Sequence, residues 1–79
     1  MKHAREDYNR IQDPDEKIPD NEPVFLLRGQ DVLAPNLLRE WARQLLIKGG
    51  SCEMAKLVYD HADDMDKWQK EVKVKIPDL

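Results

Sequence analysis

Few side chains in this sequence are equipped for chemistry, and those that are suit binding better than catalysis. Arg5, Tyr8 and Arg10 cluster near the N-terminus, Lys17 sits in an acidic stretch, and Arg28 lies between Leu27 and Gly29. A tyrosine face stacks on a nucleobase, while guanidinium or ammonium groups neutralise phosphate. Gly29 would let a bound group approach the backbone beside Arg28 closely. The plainer alternative docks Tyr8 on a core and pairs Arg28 with Glu22 or Asp31.

Catalytic sets are sparse. His61 lies in the run DHADDMD, and on a helix it shares a face with Asp64. A metal needs three or four ligands, and the other histidine, His3, is near the terminus. His61 also falls on an apolar seam, where a partly buried core histidine is the ordinary outcome. Ser51 is the sole serine or threonine. No G-x-S-x-G, H-E-x-x-H or glycine-rich phosphate loop occurs. The residues therefore predict no catalytic set, no metal and no cofactor. An enzyme is not expected.

The elements that must position these groups are few. With 79 residues the chain is one domain, and a core of that size supplies only ~3–5 kcal/mol. The lone Cys52 allows no intrachain disulfide, and a free thiol fits a reducing cytoplasm. Hydrophobic residues make up 41% and charged residues 37%, which suits a small, heavily solvated fold rather than a disordered chain. A net charge of −3 gives no general pull toward DNA, RNA or an anionic membrane. The start MKHAREDYNR has no apolar signal region, and no run approaches the ~20 apolar residues of a membrane span.

Periodicity predicts an all-α fold. A short helix is expected over residues 1–12, where Ala4, Tyr8 and Ile11 line up, ending at Asp13-Pro14. Residues 13–30 form an acidic, proline-punctuated loop and then a buried extended segment, Val24 to Leu27. No second strand candidate is apparent for that segment. A helix over 31–48 starts with Asp31 as N-cap and Pro35 in the first turn, and Gly49-Gly50 stops it. Ser51 caps a second helix over 51–74, with Glu53 in its first turn and lysines toward its end. Its seam is Met54, Val58, His61, Met65, Trp68 and Val72 at alternating spacings of four and three. The two helices make an antiparallel hairpin with more apolar width than one partner covers, so an oligomer is expected.

The run YNRIQDP from Tyr8, then IPDNEPVFLLRGQD, LAPNLLREWA and HADDMDKWQK, resembles small tailed-phage proteins of the anti-CBASS 2 family, and the likeness covers most of the chain. The resemblance implies a cyclic-oligonucleotide sponge. Such proteins capture the cyclic dinucleotides (of the cyclic GMP-AMP type) and cyclic trinucleotides of bacterial CBASS defence in the host cytoplasm, without cleaving them. It implies a short N-terminal helix, two long antiparallel helices, and assembly from dimer to hexamer. Tyr8 matches the family tyrosine that stacks on a base. The family's phosphate-contacting lysine falls on Lys17, with Arg28 as the rival position, and the trinucleotide pocket maps onto no numbered residues. The competing reading is a small acidic helical module that binds and inhibits a host protein. A pure acidic mimic has no need of the Arg5, Tyr8 and Arg10 cluster.

Overall fold

The computed structural model describes residues 1–4 and 13–78, so Tyr8, Arg5 and Arg10 lie outside the described residues. The fold is mostly helical. In chain order it has β1 (Lys2–His3), β2 (Pro23–Val24), α1 (Ala34–Ile47) and α2 (Cys52–Glu71).

The helical hairpin forms for local reasons. At the end of α1, Gly49 takes φ +79°, a left-handed conformation that glycine adopts without steric cost. The N–H of Gly49 donates to Leu46 O at 3.0 Å, and that of Gly50 to Leu45 O at 2.8 Å. This pair of bonds is the Schellman closure, which satisfies carbonyls the helix leaves open. The second glycine is needed for space: a Cβ at Gly50 would sit 2.7 Å from Leu45 Cγ and 3.0 Å from Leu45 O. Ser51 then caps α2, its Oγ accepting from Met54 N at 3.1 Å.

The start of α1 departs from expectation. Asp31 accepts from Leu33 N through Oδ1 at 2.8 Å, but Leu33 is the N-cap and Ala34 the first helical residue. The backbone here is committed elsewhere. Lys75 N donates to Gln30 O at 2.8 Å and Val32 N donates to Lys75 O at 3.0 Å, forming a parallel bridge with the C-terminal tail. The same bridge explains why α2 ends at Glu71 instead of continuing to residue 74. The tail must turn extended to reach Gln30.

Two further expectations are corrected. Lys2 and His3 are extended and pair with Pro23 and Val24 in parallel register, so the first residues are not helical and Val24 does have a strand partner. Lys2 N donates to Glu22 O at 2.6 Å, and such a two-residue pairing needs only backbone groups. The segment after it is not buried either. Val24 and Leu27 are half-covered, while Phe25 is 71% exposed.

The core between the helices is built from small residues. Ala34 and Ala42 of α1 and Ala55 and Ala62 of α2 are buried, together with Pro35 and Met65. On α1 the contact line runs Pro35, Leu38, Ala42, Leu45, and on α2 it runs Ala55, Val58, Ala62, Met65, Gln69, both at alternating spacings of three and four. Of the expected seam, Val58 and Met65 keep their places, while Met54, His61 and Trp68 give way to their neighbours Ala55, Ala62 and Gln69. Alanines let the axes approach closely, and the large side chains are left on the flanks. Met54, Leu57 and Trp68 of α2 and its C-cap Val72 are exposed, as are Leu33, Leu37, Trp41, Leu46 and Ile47 around α1.

Arg39 ties the two helices from the side. It donates to Asp63 at 2.8 Å and also to Asp66. The hydrogen bond to Asp63, then that to Asp66, holds the guanidinium above its ordinary pKa. On the outer face of α1, Arg43 donates to Glu40 at 2.9 Å and 2.5 Å, and Gln44 adds a third bond. Led by the Arg43 contact, these hold the Glu40 carboxyl down at about 2.

A candidate ligand pocket between the Arg28 loop and the second helix

The loop that precedes α1 lies against the C-terminal half of α2 and borders an open cleft of about 420 Å³. Arg28 and Gln30 come from the loop, and His61, Asp64, Met65 and Trp68 from α2. The volume falls in the ~300–1,000 Å³ range of small-molecule sites.

Each side of this cleft is held in place by its own contacts. The four α2 residues recur at intervals of three, one and three, so one helical face presents them together. The loop is pinned from two directions. Gln69 Nε2 donates to Gly29 O at 2.9 Å and to Asp31 O at 2.7 Å, while the tail bonds Gln30 O through Lys75 N. Arg28 is therefore carried on a fixed backbone, although a Cβ at Gly29 would meet nothing within 4 Å. No protein contact requires a glycine beside Arg28.

The chemistry of the lining is mixed. Trp68 offers an indole that is 42% exposed. Arg28 forms no ion pair among the described residues, so its expected pairing with Glu22 or Asp31 is absent. The acidic run of α2 is partitioned: Asp60 pairs with Lys56, Asp63 and Asp66 with Arg39, and Asp64 is left facing the cleft. Gln30 is only 9% exposed, and its Oε1 has no hydrogen-bond partner among the described residues. An orphaned buried acceptor carries an uncompensated desolvation cost of ~1–3 kcal/mol.

Of the binding residues expected from sequence, the structure brings Arg28 into the cleft. Lys17 is elsewhere, on an exposed turn where Asp13 accepts from Lys17 N and Ile18 N at 3.1 and 2.9 Å. Its ammonium lies 3.9 Å from Asp15 and lines none of the described cavities. His61 and Asp64 do share a face, but His61 is exposed rather than a core histidine. Among the described residues no group of three or more histidine, cysteine or carboxylate side chains is placed to hold a metal ion. Sequence reasoning missed Trp68 and Gln30. The His61, Asp64, Trp68 spacing was a usable signal for the first, and nothing local marks the second.

A second groove of about 530 Å³ lies beside this one, sharing His61 and lined otherwise by Leu38, Trp41, Met54, Leu57 and Val58. It is almost wholly apolar in character. Compared with known proteins, the chain matches no family model, no curated protein and no solved structure. No helix among the described residues is long and apolar enough to cross a membrane.

Proposed function

We propose that this protein binds and sequesters cyclic di- and trinucleotide messengers of bacterial CBASS defence, in the host cytoplasm and without cleaving them. The observation that supports this reading most is the cleft itself, which combines an aromatic face (Trp68) with a cation that forms no ion pair among the described residues (Arg28). A cyclic nucleotide makes a pair of demands, a flat face for its base and positive charge for its phosphodiesters, and the cleft lining supplies both residue types. The sequence resemblance points the same way. Tyr8 remains the candidate for a second base face and Lys17 for a second phosphate contact.

Self-association from dimer to hexamer is part of the proposal. Leu37, Trp41, Ile47 and Leu57 are about half exposed or more in the lone chain, an apolar surface that a second copy would cover. The apolar groove from Leu38 to His61 also favours a second reading, in which that face grips a host protein.

Calorimetry with cyclic GMP-AMP and a cyclic triadenylate tests the primary reading. Loss of a base-stacking aromatic costs ~1–3 kcal/mol, so Trp68→Ala should weaken cyclic GMP-AMP binding about five- to 150-fold. Arg28→Ala should weaken it comparably and flatten its salt dependence. Ligand recovered after denaturation should be intact. No heat from either compound would leave the host-protein module as the better reading.

A further inference from the structure

We infer that the loop from Arg28 to Val32 is a latched strap, which releases from α2 and from the C-terminal tail in one step while the helical hairpin stays folded, and that Gln69 is its latch. Arg28 rides on this strap. The cleft therefore has its cation wall only while the strap is closed. This holds for any ligand of the cleft and does not depend on the nucleotide reading.

The hydrogen bonds divide into those inside the strap and those that hold it down. Inside it, Asp31 N donates to Arg28 O at 3.0 Å, Leu33 N to Asp31 Oδ1 at 2.8 Å and Ala34 N to Asp31 O at 3.0 Å. These join near neighbours and keep the shape of the turn wherever it lies. Four others cross to distant parts of the chain. Gln69 Nε2 donates to Gly29 O at 2.9 Å and to Asp31 O at 2.7 Å. Lys75 N donates to Gln30 O at 2.8 Å, and Val32 N to Lys75 O at 3.0 Å. The helix thus takes the carbonyls of Gly29 and Asp31, and the tail takes that of Gln30 between them. Interleaved in this way, the two holds share one stretch of backbone and let go together.

Apolar burial adds little to the hold. Val32 is exposed, as are Val72, Val74 and Ile76 in the tail, the last by 80%. A segment with few buried apolar contacts opens more readily than the packed elements beside it. Gln30 acts in the same direction. Its Oε1 is buried without a hydrogen-bond partner among the described residues, and water supplies one as soon as the strap lifts. The closed form carries a penalty that the open form lacks. The alanine core of Ala42, Ala55 and Ala62 and the Gly49 closure use none of these bonds, so the hairpin keeps its packing.

Native-state hydrogen exchange on the full, ligand-free chain, read by NMR across a urea series, tests this. The Val32 and Lys75 amides should share one opening constant, roughly tenfold or more above that of Ala62 and Met65 in α2, with little urea dependence because little surface is exposed. Gln69→Ala should raise both openings about five- to 150-fold, although Gln69 bonds neither residue. Gln30→Leu removes the orphaned acceptor at similar volume and should lower both by about the same factor. Should Gln30→Leu fail to fold, Gln69→Ala and the wild-type chain decide. Exchange of Val32 and Lys75 at the rate of the helices, with the same urea dependence, would mean that the strap opens only on global unfolding. A Lys75 amide indifferent to Gln69→Ala would mean that the two holds are independent. Either result overturns the inference, and a folded Gln30→Leu chain that opens no less often removes the bias assigned to the buried oxygen.

Discussion

Replacing Ala62 by leucine probes the closeness of the two helices, on which the fold depends. Ala62 is fully buried on the line where α2 meets Ala42 and its neighbours on α1. Leucine has nearly the helix propensity of alanine, within a few tenths of a kcal/mol. Any large change therefore reports packing. Three added carbons have no void among alanines to enter, and overpacking of a tight site costs ~1–3 kcal/mol. The whole domain holds only ~3–5 kcal/mol, so the substitution should remove about half of its stability. Urea denaturation followed by circular dichroism measures this directly. With a slope of ~1 kcal/mol/M for a chain this short, the midpoint should drop by roughly 1–3 M. A midpoint that stays put or rises would mean that the helices do not meet through their alanines, and the displaced seam would be wrong.

Met65→Ala, at a side chain only 8% exposed, should cost about 2–5 kcal/mol in the same assay. A loss under half a kilocalorie per mole would place Met65 outside the core. Gly49→Ala forces a Cβ into the φ +79° conformation, a strain of ~1–2 kcal/mol, and the melting temperature should fall by several degrees. An unchanged melting curve would deny the left-handed closure. Leu57 is 66% exposed in the lone chain, so Leu57→Glu should leave a monomer's stability nearly untouched yet dissociate an oligomer. Sedimentation at micromolar concentration separates the cases, and a wild-type monomer of 9.3 kDa would remove the assembly proposal. The Glu40 carboxyl is depressed from 4.5 to about 2, so its stabilising share is complete above pH 4.5 and fades as pH falls toward 2. Glu40→Gln should therefore differ from wild type at pH 7 and converge on it near pH 2, by a small margin that salt reduces further. A gap that widens in acid would refute the sign.

What the sequence determined by itself was local. The Gly49-Gly50 closure, the Ser51 cap and the two amphipathic stretches depend on contacts within a few residues, and residue types at those positions carry the signal. His61 and Asp64 fell on one face because helical spacing alone puts them there. Tertiary structure decided which face met the partner. Turning α2 by about half of the ~100° that separates neighbouring residues keeps Val58 and Met65 on the seam but exchanges Met54, His61 and Trp68 for their neighbours, and hydrophobic patterning weighs the large side chains of Met54 and Trp68 over the alanines that permit close approach. It also decided the strand pairing of Lys2–His3 with Pro23–Val24 and the bridge from Lys75 to Gln30 and Val32. Those join segments distant in sequence through backbone groups that every residue shares, so no side chain announces them. The cleft follows from the same cause. Arg28 was visible as a cation without a role, but only the docking of its loop onto α2, held by Gln69 and Lys75, set it across from Trp68 and buried the unpaired oxygen of Gln30.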